Sequence, residues 1–180
     1  MQNDDELYSS FLSGNNSAYD ELMIRYGDSL TIYMNAYLHN WQDSEDMMIE
    51  AFARIMVKKP RIGEGCFKAY LYKTARNLAT RFHSRKKEAF SLDEMETELA
   101  DTFSLEEKVS DMNLHSILHV CMERIDADVR EALWLVYFEN MSYIEAANIM
   151  KVNRKRIDRL LQKGKEHLRR ELEKEGITKE

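Results

Sequence analysis

At 180 residues, 44% hydrophobic and 32% charged, the chain suits one or two small globular domains, and its one Pro and six Gly are too few for a sheet of many short strands. No apolar run approaches the roughly 20 residues of a membrane span, MQNDDELYSS is too acidic for a signal peptide, and Cys66 and Cys121 make no disulfide framework; a cytoplasmic protein with reduced thiols and no membrane insertion is expected. The formal net charge of -6 hides two basic blocks, seven Lys/Arg with no acid over 68–87 and nine Lys/Arg against two acids over 151–170, separated by nine acids against one Lys over 88–111, which points to local polyanion contacts.

In chain order, apolar residues recur at helical spacing over Leu7–Leu12, Ala18–Leu38 and Ser44–Val57. Leu22, Tyr26, Leu30, Tyr33 and Tyr37 mark the second stripe, and Met48, Phe52 and Ile55 the third. Asn16 or Ser17, and Asp43, are the expected N-caps, because a short polar side chain can accept from the free amides of a first turn. KKPRIGEGC, with Pro60, Gly63 and Gly65, predicts a loop. A long helix then spans roughly 67–87, with Leu71, Ala75, Leu78 and Phe82 as its buried stripe. About 100° away, Tyr70, Lys73, Asn77, Arg81 and Ser84 line up. A ring beside cations and an amide suits unstacked bases: the ring stacks, the cations hold backbone phosphate and the amide reads an edge. The preceding loop could cradle a flipped base.

Residues 88–111 read as an acidic linker with a turn or two of helix. Helices resume over Leu114–Ile125, Val129–Asn140, Ser142–Met150 and Arg154–Glu175, and no strand pattern appears. Ser142 and Glu145 have capping-box spacing, Asn153 is an N-cap for the last helix, and Ile144, Ala147 and Ile149 are expected to face inward. On the last helix Ile157, Leu160, Leu161, Gly164 and Leu168 gather on one side, with Lys155, Arg156, Arg159, Gln162, Lys163 and Arg170 nearly opposite. A short helix, the tight connection 151–153 and a long basic helix form a helix-turn-helix pattern, whose second helix enters the major groove. Arg and Lys suit that task because Arg forks onto guanine and both neutralise phosphate. The expected fold class is all-α, with two small helical domains, 1–87 and 112–180, joined by the linker 88–111.

DSEDMMIEAFARIM, FKAYLYKTARNLA and MSYIEAANIMKVNRKRIDRLLQKGKEHLRREL resemble bacterial RNA polymerase sigma factors of the short extracytoplasmic-function group, the first two in conserved region 2 and the third in region 4. The resemblance implies that Asp43, Asp46, Glu50 and Phe52 bind the clamp helices of core RNA polymerase. It implies that Phe67, Tyr70, Lys73, Asn77 and Arg81 contact the melted minus-ten strand, and that Arg154, Lys155, Arg156, Arg159 and Lys163 read the minus-thirty-five element. Promoter DNA, core polymerase and an anti-sigma factor are the implied partners, and the linker would thread the polymerase near its active site. Four positions depart from the family pattern: Tyr70 stands where Trp is frequent, Ile49 where Gln is common, Lys151 at the usual turn Gly and Leu160 where Arg is common. Lys151 is expected to make its turn without positive φ.

The runner-up is a polymerase-independent helix-turn-helix regulator, for which the acidic 43–52 helix has no use. A metal enzyme built on His115 and His119, with Cys121 nearby, lacks an obvious third ligand and has Ser116 where a hydrolytic zinc site needs Glu. No Ser/His/Asp set, phosphate loop or carboxylate pair is evident, so neither a catalytic residue nor a cofactor is expected.

Overall fold

A computed structural model describes residues 2–92, 122 and 124–174, and among these every regular element is helical. The chain divides into two compact units, Met1–Asp101 and Thr102–Glu180. Most of the expected helix at Leu114–Ile125 and of the acidic linker, as well as His115, His119 and Cys121, lie outside the described residues.

Four helices build the first unit: α1 (Asp4–Leu12), α2 (Asn16–Leu38), α3 (Trp41–Lys58) and α4 (Phe67–Leu92). Helix α2 is the centre of the bundle, packing against each of the other three. The core is rich in rings, with Phe11, Tyr33, Phe52, Phe67 and Tyr72 buried beside Leu7, Leu22, Leu30, Ile55 and Leu71. Phenols bring a polar atom inside and need partners there. Tyr19 donates to the Phe52 carbonyl at 2.6 Å, and Tyr8 to the Pro60 carbonyl at 2.7 Å. Burial raises both phenol pKa values, so these hydroxyls stay protonated donors.

The caps differ from expectation. Helix α3 is capped by Asn40, whose Oδ1 accepts the Asp43 amide at 2.9 Å, rather than by Asp43. Helix α2 starts after Asn15, whose side chain makes no cap bond. Helix α4 continues beyond the expected end at 87 to Leu92, because EAFSL contains no breaker and several good helix formers. The 59–66 loop is pinned at both ends: Lys59 closes α3 at φ 43°, and the Gly65 amide donates to both carboxylate oxygens of Asp5, at 3.0 and 2.8 Å.

In the second unit, α5 (Ala127–Leu133) runs into a π-helical turn over Trp134–Phe138, where the Glu139 amide reaches back to the Trp134 carbonyl at 3.0 Å. Helices α6 (Tyr143–Met150) and α7 (Arg154–Lys174) follow, α7 packing on both α5 and α6. The capping box forms as expected: Glu145 N–H donates to the Ser142 hydroxyl at 3.2 Å, and Ser142 N–H to the Glu145 carboxylate at 2.8 Å. One inward assignment changes. Ala146, Ile149 and Met150 share the buried i, i+3, i+4 face, whereas Ile144 falls off it and is 62% exposed. Lys151 does adopt positive φ, 57°, and its amide and that of Val152 both return to the Ala147 carbonyl.

Candidate nucleic-acid and polymerase interfaces

The helix-turn-helix is assembled by capping and by one close approach. Asn153 Oδ1 accepts the Arg156 amide at 2.9 Å, which fixes where α7 begins. Ile157, Leu160, Leu161 and Gly164 then face inward. A Cβ on Gly164 would lie 2.8–2.9 Å from Leu133 and Val129 side-chain carbons, so glycine lets α7 sit directly on α5. Arg154, Lys155, Arg156, Arg159 and Lys163 are all exposed.

Their electrostatic states divide into two groups. Arg154, Lys155 and Arg159 have no carboxylate partner among the described residues. Arg156 lies 3.5 Å from Asp128, and Lys163 Nζ lies 2.5 Å from Asp126. The hydrogen bond from the Lys163 ammonium, and then its charge, hold the Asp126 carboxyl below its ordinary range. These four side chains and Arg159 line one open cleft of about 320 Å³ at the start of α5. Further along α7, Arg170 pairs with Glu166 at 2.5 Å.

In the first unit, α4 and the end of α3 enclose a groove of about 170 Å³. It brings together Tyr70, Asn77 and Arg81 of the expected strand-contact set. Tyr70 is 36% exposed, enough to offer a ring face. Lys73 is exposed but does not line this groove. Phe67 corrects the expectation: at 1% exposure it belongs to the core, stacked obliquely on Tyr8 with centroids 5.3 Å apart, and cannot offer its ring to a base in this conformation. Arg54 and Lys58 of α3 line the groove opposite α4 and were not among the expected residues. Their only signal in the sequence is their position, one helical turn apart just before the loop.

On α3, Asp46 and Glu50 are one turn apart, with Ile49 between them 52% exposed. Asp43 is half-buried, and Glu50 pairs with Arg54 at 2.6 Å. Phe52 again corrects the expectation. It is 1% exposed and packs edge-on against Tyr19, so it positions the acidic face rather than contacting a partner.

Residues 22–89 match Sigma-70 region 2, and residues 115–168 match Sigma-70, region 4. The chain belongs to the sigma-70 family. This sigma factor is similar to the RNA polymerase sigma-H factor of Pseudomonas aeruginosa, at 22% identity over 161 residues, 83% of either chain. Its fold is similar to that of CnrH, solved in complex with the cytosolic domain of CnrY, with a TM-score of 0.62 at 19% identity over 92% of this chain and 94% of that one. It is also similar to the sigma factor RpoE from Bartonella quintana, solved with the anti-sigma factor NepR, with a TM-score of 0.67 at 18% identity over 86% and 96% of the two chains. The factor binds core RNA polymerase, directs it to specific promoters and helps open the DNA for initiation. Region 2 takes in α2, α3 and the α3–α4 groove, and region 4 takes in the helix-turn-helix. No described helix is long and apolar enough to cross a membrane.

Proposed function

We propose a division of labour among named residues. The 1–87 segment docks polymerase and holds the opened strand, 112–180 reads the upstream duplex, and 88–111 tethers the two. Asp43, Asp46 and Glu50, with the exposed Ile49, face the polymerase clamp. In the α3–α4 groove Tyr70 stacks on an unpaired base, Asn77 reads its edge, and Arg81, Arg54 and Lys58 hold the flanking phosphates. Arg154, Lys155 and Arg159, at the N-terminal turns of α7, meet base edges and phosphates of the minus-thirty-five element, with Arg156 and Lys163 beside them. The factor makes no bonds of its own; phosphodiester chemistry belongs to the polymerase, and its place of work is the bacterial cytoplasm. An anti-sigma protein is the natural counterpart, by analogy with the complexes in which CnrH and RpoE were solved.

The observation that carries this reading is the set of three exposed cations, free of described carboxylates, on the first turns of a capped helix. Holoenzyme reconstituted with Arg159→Ala should lose about 1–3 kcal/mol of promoter affinity and relax its preference at one upstream position. Asn77→Ala should leave duplex binding within about twofold and slow strand opening about tenfold, as loss of one or two hydrogen bonds to a base would. Permanganate footprinting and promoter selection read the two effects, and normal melting by Asn77→Ala would remove that residue from the strand site.

A further inference from the structure

Asp126 sits at the N-cap position of α5, where an Asp ordinarily accepts an amide of its own first turn. It makes no such bond. Its carboxylate instead reaches α7 and accepts from Lys163 at 2.5 Å, across 37 residues of sequence. Two residues on, Asp128 takes Arg156 at 3.5 Å. All four side chains are more than half exposed. Ion pairs so open to water contribute little to holding a fold, because solvent already satisfies both charges and ordering the long side chains costs entropy. What they do change is the availability of the cations. A carboxylate oxygen at hydrogen-bond distance occupies the position that a DNA phosphate oxygen would take.

We propose that Asp126 and Asp128 are built-in competitors of DNA phosphate for Lys163 and Arg156, and so set how firmly the recognition helix grips a duplex. This rests on the reading that α7 faces DNA. Of the five recognition-helix cations, Arg154, Lys155 and Arg159 have no described carboxylate beside them, while Arg156 and Lys163 each share their charge with an aspartate against which a phosphate must compete. Cation–phosphate contacts are nearly blind to sequence, whereas base-edge contacts are not. Holding two cations in reserve thus weakens the grip on DNA of any sequence and leaves readout to the remaining three.

The test uses holoenzyme carrying the full-length factor, on a promoter fragment selected by the wild-type enzyme and on a random-sequence duplex. Asp126→Asn with Asp128→Asn keeps the size of both side chains, and Asn is as good an N-cap as Asp, so the fold should be retained, as circular dichroism checks. Each freed cation adds up to one phosphate contact, so the log–log salt slope should steepen by about 1–2 and binding at 50 mM salt should tighten roughly threefold to tenfold. Random duplex should gain at least as much as the promoter. Asp20→Asn removes an exposed charge with no ion partner among the described residues, and it should shift neither measure. Unchanged or weaker binding by the double variant overturns the proposal, as does an equal gain from Asp20→Asn. A parallel Arg159→Ala arm separates the two levels. If that variant loses affinity while the aspartate variant gains none, only the competitor role fails. If Arg159→Ala is also silent, the assignment of α7 to DNA fails with it.

Discussion

Lys151 shows what a single backbone angle adds to a sequence motif. It occupies the left-handed C-cap of α6 at φ 57°, where a Cβ crowds the following carbonyl oxygen. Glycine has no such crowding, and the turn of the family pattern usually has one. Lys151→Gly should therefore stabilise the second unit by about 0.5–1 kcal/mol, the relief of strain exceeding the extra entropy that glycine gives the unfolded chain. The urea midpoint, with unchanged slope, measures this, and a lower midpoint would contradict it. The buried rings teach the complementary lesson. Phe67 lies one turn before Leu71 and Phe52 three residues before Ile55, so each sits where a core stripe passes. Helical periodicity already placed Phe52 on the α3 stripe, and extending the α4 stripe by one turn would have included Phe67. Motif correspondence alone assigned both to partners, and burial decides against it.

At the scale of elements, the crossing of α7 over α5 rests on Gly164. An exposed helical glycine gains about 1 kcal/mol on becoming alanine. Here the new methyl would press on Leu133 Cγ and on the stiff branched Val129, both at 2.9 Å, so α7 would have to lift from α5. Gly164→Ala should therefore cost a net of about 1–2 kcal/mol in thermal or urea unfolding. Helix existence was legible because apolar spacing is repeated over many residues, and the single loop breaker KKPRIGEGC was unambiguous. Helix starts were less so. NWQDS offers both Asn40 and Asp43 as caps, and local chemistry cannot choose between two good acceptors three residues apart; the structure selects Asn40. The π turn at Trp134–Phe138 has no signature in the residues themselves. The α3–α4 groove was half legible. Tyr70, Asn77 and Arg81 follow from one helix, whereas Arg54 and Lys58 come from a different helix, and no periodicity along α4 could reveal them.

Across the whole molecule, positive charge is concentrated on two helices of two separate units, against an overall excess of acid. At physiological salt, charges separated by more than about 8 Å are largely screened, so each basic surface acts on what it touches rather than through the net charge. The basic face of α7 is also not uniformly cationic: Asp126 and Asp128 answer part of it from within the same unit. Among the described residues Asn77 lines a groove made by α3 and α4, and Arg159 a cleft made by α5 with its N-cap Asp126 and by α7. The two residues therefore share no side-chain partner in those sites, and their losses should combine without coupling. In the double variant Asn77→Ala with Arg159→Ala, the free-energy penalty on open-complex formation should equal the sum of the two single penalties within about 0.5 kcal/mol. Open-complex yield as a function of holoenzyme concentration, measured for all four combinations, provides the cycle. A coupling of 1 kcal/mol or more, beyond that tolerance, would mean that upstream readout and strand capture are one cooperative event. Agreement within it would mean that each unit contributes its own independent step to initiation.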